Sequence, residues 1–184
     1  MSFVSNRRHG SGNATHAPVF RIRATTPTCC SSTDRRLTQN CNQCGAVYDD
    51  GADCESCFHA LLAYENERPP AFGAVHHLTV ATYYLQHPAG YTHETLGFWR
   101  EIVGKALNGV SIRELRELSG RRFEGSKRAR EPGAVPPAWW PDTWPLAIQT
   151  VFVPGASPEV DDYVNRAREW ARATLGTLNR LDSP

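Results

Sequence analysis

Four cysteines fall within seventeen residues as Cys41-x2-Cys44-x9-Cys54-x2-Cys57, and this spacing constrains the front of the chain more than any other feature. Two paired thiols at such a separation can close a tetrahedral zinc site. A segment of about twenty residues cannot build a hydrophobic core alone, so a bound ion would replace one, each cysteine losing its proton to the metal. A redox Cys-x-x-Cys pair would call for a βαβ context that the pattern here lacks. Cys54 opens a helical pattern, which puts Cys54 and Cys57 one turn apart and lets both face the knuckle. Four protein ligands leave no open coordination position, so the expected role of the Zn2+ is structural.

At 184 residues the chain suits one domain of ordinary size with tails. No run approaches the roughly 18 to 20 apolar residues that cross a bilayer. Met1 to Arg8 lacks the apolar stretch of a secretory signal, and Arg7-Arg8 runs into His9-Gly10-Ser11-Gly12-Asn13 where a twin-arginine signal would turn apolar. The expectation is a cytoplasmic protein without a membrane partner, in a reducing compartment where clustered cysteines argue for metal rather than disulfides. Residues 1–38 carry six arginines against Asp34, a net of +5, which leaves −4 for the remainder of a chain whose total is +1. A mildly acidic globular part lacks the basic field of a duplex-binding fold, so nucleic acid is an unfavoured partner.

Composition divides the chain into a basic head at 1–38, without periodicity and read as disordered, and a helical domain at 39–182. The head also resembles a transit peptide in composition, and its adjacent Cys29 and Cys30 cannot easily share one ion. Within the domain, 39–57 reads as the zinc knuckle, with Asp53 as a helix cap ahead of Phe58, Leu61 and Leu62 at helical spacing. A second helix from about Ala74 to Gln86 places Val75, Leu78, Thr82 and Leu85 on one stripe, with Pro88 as its stop. A third starts near Thr92, Ser111-x-x-Glu114 is a capping box for a fourth, and Tyr163 to Leu178 repeats at helical spacing behind Ser157-Pro158. Between them, 121–156 is a Pro- and Trp-rich loop expected to be pinned by Trp139, Trp140 and Trp144, with Leu146 to Val153 as a possible short strand. The fold class that follows is mainly α: a single antiparallel helical bundle with an N-terminal zinc knuckle.

Three blocks in order carry a family resemblance: Cys41-Asn42-Gln43-Cys44-Gly45, then Cys54-x3-Phe58-x2-Leu61-Leu62, then His76-x-Leu78-x-Val80-x2-Tyr83-x2-Gln86-His87-Pro88. Over about residues 41 to 88 the chain resembles a bacterial family catalogued as a domain of unknown function, number 5946. The resemblance implies no established activity, but it bears on the ligand set. The family pattern matches Cys41, Cys44, Cys54 and His76 and has no particular cysteine at Cys57, so a site of three cysteines and His76 competes with the all-cysteine site. The family often carries an acid where this chain has Ala81, so any catalytic carboxylate at that point is missing here.

His76 and His87 share a helix face, yet eleven residues at about 1.5 Å each separate them by roughly 16 Å, too far for one ion. His87, beside Pro88, is read as satisfying a buried carbonyl at the helix end, and Gln86 as a buried hydrogen-bonding residue. Phosphate-loop, dinucleotide, nucleophile-elbow and H-E-x2-H signatures are missing. The resulting expectation is a non-enzymatic zinc-binding module with a protein or small-molecule partner. An alternative is a metal-dependent enzyme with an open Cys/His site lined by Tyr83 and His87, and a further one is nucleic-acid binding through the knuckle and the basic segments.

Overall fold

The computed structural model describes residues 38–49, 51–68, 72–123 and 130–181, all within one compact unit that spans 35–184. The basic head up to residue 37, with Cys29 and Cys30, lies outside the described residues, as does the segment 124–129.

The described chain is mainly helical. It opens with a short antiparallel hairpin, β1 (Thr38–Asn40) and β2 (Val47–Asp49), in which Asn40 faces Val47. The helices follow as α1 (Cys54–Asn66), α2 (Gly73–Gln86), α3 (His93–Leu107), α4 (Ile112–Arg122), α5 (Ile148–Val151) and α6 (Val160–Leu181). Three of these starts, those of α1, α3 and α4, have a side-chain cap. Asp53 accepts from Ser56 N at 2.7 Å while Ser56 Oγ takes the Asp53 N–H, a reciprocal capping box. Thr92 caps α3 by accepting from Thr95 N, and Ser111 caps α4 by accepting from Glu114 N at 3.2 Å. Because α4 is otherwise polar and buries only Leu115, Ser111→Ala is expected to cost about 1 kcal/mol in urea unfolding through the loss of that cap.

α2 is the central helix and packs against α1, α3, α4 and α6. Its predicted stripe is where the core lies: Val75, Leu78, Thr82 and Leu85 are all buried. The opposing stripe of α6 is Tyr163, Ala167, Trp170, Ala171, Thr174 and Leu178, every one of them fully buried. Trp170 Nε1 and Gln86 Oε1 are buried here without a hydrogen-bond partner, whereas the Gln86 amide nitrogen is satisfied twice. Gln86 Nε2 donates to the Leu146 carbonyl and to Thr174 Oγ1, both at 2.8 Å, which ties α2 to α6 and to the segment before α5.

One difference from the sequence reading concerns a short element. Leu146 to Val153 is not a strand: its middle is the single helical turn α5, with Phe152 N donating back to the Ile148 carbonyl. A short apolar run carries no period that separates the two states, and here burial of Ile148 and Val151 against α1 and α6 decides it. The Pro/Trp-rich stretch is pinned as expected by two of its three tryptophans. Trp140 Nε1 donates to the Leu85 carbonyl at 2.8 Å and Trp144 Nε1 to the Gln43 carbonyl at 3.4 Å, while Trp139 is 44% exposed.

Candidate metal centre

The β-hairpin turn builds the first half of the site. Gly45 N donates to the Cys41 carbonyl at 2.9 Å and Cys41 N to the Ala46 carbonyl at 2.8 Å, which curls Cys41 to Cys44 so that both thiols point inward. The curl needs a left-handed residue, supplied by Gly45 at φ 76°, and a Cβ there would also stand 3.3 Å from Thr143 Cγ2. The second half comes from two helix ends. Cys54 is the first residue of α1, held by the Asp53 cap, and His87 follows the last residue of α2, where Pro88 stops the helix. Gln43 Oε1 accepts from Ala89 N at 2.9 Å, latching the hairpin turn onto the chain just past His87.

Cys41, Cys44, Cys54 and His87 present one sulfur or nitrogen atom each, all within 4.8 Å of one another, and could hold a metal ion. Cys44 and Cys54 Sγ are 3.4 Å apart, and Cys41 Sγ is 3.6 Å from His87 Nε2. Cys44, Cys54 and His87 are buried and Cys41 is half-buried. His87 Nδ1 lies 2.9 Å from the Tyr83 carbonyl. A carbonyl only accepts, so Nδ1 carries a proton and Nε2 is the nitrogen turned to the sulfurs, the arrangement that orients a metal-binding imidazole. An aromatic column fixes the ring: Tyr83 stacks on His87 at 4.1 Å and on Phe58 at 3.8 Å, joining α2 to α1 beneath the cluster.

The electrostatics favour negative charge on sulfur. The Cys54 thiol is drawn down to about 4 by its hydrogen bond with Cys44, against the opposing effect of burial, with His87 and Tyr48 assisting. Cys44 is pushed up in turn, chiefly by that same bond and by burial, so in the apo site the two sulfurs share one proton. Tyr48 is held protonated by burial and by the neighbouring thiolate, and its hydroxyl donates to Cys54 Sγ at 3.3 Å.

The other two expected ligands lie elsewhere. His76 Nδ1 is 2.7 Å from Glu65 Oε2, near the opposite end of the α1–α2 hairpin from the sulfurs. Cys57 is one turn along α1, where its thiol donates to the Phe152 carbonyl at 3.4 Å and burial raises its pKa to about 11. Beside the three cysteines stands His87, which the sequence reading gave to a buried carbonyl or, in the enzyme alternative, to the pocket wall, but not to the ligand set. It makes that bond with Nδ1 and keeps Nε2 for the cluster. The signal that could have found it is directional: in an antiparallel helix pair, the start of α1 meets the end of α2.

A cavity of about 460 Å3 borders the cluster, lined by Cys41, Cys54 and His87 together with Tyr48, Glu55, Tyr83 and Arg130. A second, of about 370 Å3, is walled by Phe58, Tyr83, Tyr84 and Tyr91 and shares Glu55, Tyr83 and Arg130 with the first. Among the described residues no helix is long and apolar enough to cross a membrane.

No curated protein and no solved structure matches this chain. A family model does, that of a family of unknown function, DUF5946, over residues 39–179. That match begins inside β1, takes in all four cluster residues and ends within α6, two residues short of the last residue described. It covers most of the sequence, and the chain belongs to the DUF5946 family.

Proposed function

We propose that Cys41, Cys44, Cys54 and His87 hold a structural zinc ion, and that the protein is a binding module whose ligand cavity is set against that centre. The observation that carries the reading is the convergence of three sulfurs and one oriented imidazole nitrogen within 4.8 Å. Zinc–sulfur bonds of about 2.3 Å and a zinc–nitrogen bond of about 2.0–2.1 Å, set at tetrahedral angles, separate neighbouring donor atoms by about 3.5–3.8 Å. Two of the six donor separations, 3.4 and 3.6 Å, fall beside that range, and all six lie within 4.8 Å. Soft thiolates and a neutral imidazole suit zinc better than magnesium or calcium, which take oxygen donors. Four protein donors fill the tetrahedron, which favours a structural over a hydrolytic role.

The ion would join β1–β2, α1 and the end of α2 at one point. The purified protein is therefore expected to carry about one zinc per chain, and a strong chelator to lower its helical circular dichroism and melting temperature. A metal-free protein with undiminished helicity and stability would refute the structural role. A water-exchangeable fourth position in the X-ray absorption spectrum, with three protein donors, would shift the reading to a catalytic metal.

A further inference from the structure

The two cavities meet at an acid and a base that do not pair with each other. Glu55, exposed in the first turn of α1, and Arg130 both line both cavities, and among the described residues neither makes an ion pair. Arg130 is nonetheless held in place. Glu131 N donates to the Gly90 carbonyl at 2.8 Å and Gly90 N to the Ala134 carbonyl at 3.3 Å, which fixes the main chain on either side of the turn. The Arg130 Nε–H donates to Tyr91 Oη at 3.2 Å, with the guanidinium 5.4 Å from the centre of that ring. Using Nε in this way leaves the terminal Nη groups for a partner in the cavity. Tyr83, a buried residue whose hydroxyl has no hydrogen-bond partner among the described residues, lines both cavities with them.

An unpaired guanidinium and an unpartnered phenol offer donors to an oxyanion. The Glu55 carboxylate beside the cluster offers the opposite field, and three thiolates around a zinc dication would add a net negative charge to it. Phe58, Tyr84 and Tyr91 supply an apolar wall beyond. A ligand of one sign would leave half of these groups unanswered. We propose that the junction of the two cavities binds a small zwitterion of the α-amino-acid type with an apolar side chain, its carboxylate on Arg130 and Tyr83 and its ammonium on Glu55, an assignment that rests on the binding-module reading above.

The test uses zinc-loaded full-length protein and calorimetric titration with L-phenylalanine, 3-phenylpropanoate, which lacks the ammonium, and phenethylamine, which lacks the carboxylate. Phenylalanine is expected to bind at millimolar concentration or tighter, and each truncated probe at least about tenfold more weakly, since hydrogen bonds to charged groups contribute about 1.5–3 kcal/mol. Arg130→Gln is expected to weaken phenylalanine by a similar factor and leave phenethylamine unchanged; Glu55→Gln should do the same while sparing 3-phenylpropanoate. Failure of phenylalanine to bind at millimolar concentration, or equal affinity for all three probes, overturns the assignment. Zinc content measured on the same samples separates the two readings. Loaded protein that ignores phenylalanine sinks the ligand class alone, and protein that takes up no zinc sinks the metal centre whatever the titration gives.

Discussion

His87→Ala is expected to strip zinc from the protein, and His76→Ala to leave the metal content unchanged. His87 contributes a donor atom, whereas His76 turns its Nδ1 to Glu65 at 2.7 Å, with its imidazole about half exposed. Loss of an outer-shell partner typically weakens metal affinity about 10- to 100-fold, so removal of one of four donors should exceed roughly 100-fold. Competition with a chromogenic chelator reads that loss directly, and the melting temperature should fall with it because metal binding contributes to folding. Cys57→Ser is the second control. Its thiol is 1% exposed and bonded to the Phe152 carbonyl, so serine should retain zinc while altering the packing of α1 against the segment after α5. Zinc retained by His87→Ala and lost from His76→Ala would reverse the assignment.

The contrast between the two histidines shows what sequence carried and what it did not. Distance along α2 established that only one of them can reach the sulfurs, at about 1.5 Å per residue. Which one depends on the direction in which α1 and α2 pass each other. Cys54 with His87, Phe58 with Tyr83, and Glu65 with His76 are three contacting pairs, and all are centred on the same point of the chain, between positions 70 and 71. That register belongs to an antiparallel helix hairpin, and it sends the N-terminal cysteine of α1 to the C-terminal histidine of α2. The apolar stripes of α2, α3 and α6 and the caps at Asp53, Thr92 and Ser111 were legible because each is set by neighbours three or four residues away. The β1–β2 hairpin was not, since three-residue strands with exposed or half-exposed side chains carry no burial pattern. Nor was the meeting of Glu55 with Arg130 at one pair of cavities, which depends on how the chain around 130 returns to Gly90.

Glu65→Leu is expected to destabilise the fold by about 3 kcal/mol, because a buried polar network loses its acceptor. The Glu65 carboxylate is 5% exposed at the far end of the α1–α2 hairpin and is shared by three elements. Thr79 Oγ1 donates to Oε1 at 2.9 Å, Tyr163 of α6 donates to the same oxygen, and His76 Nδ1 meets Oε2. With leucine there, Thr79 can donate to the His76 carbonyl instead and the His76 ring turns to water, but the fully buried Tyr163 hydroxyl loses its carboxylate acceptor. The penalty is therefore concentrated on one group. Adding Tyr163→Phe should recover part of the loss, since removing both partners of a buried bond costs less than removing one. Urea unfolding of the two single variants and the double variant measures the coupling, and additive effects would show that the phenol does not depend on Glu65. Eleven residues of α1, roughly 16 Å, lie between Glu65 and Cys54. Zinc content should therefore hold in the folded Glu65→Leu protein, which sets this polar lock apart from the metal centre that closes the other end of the same pair of helices.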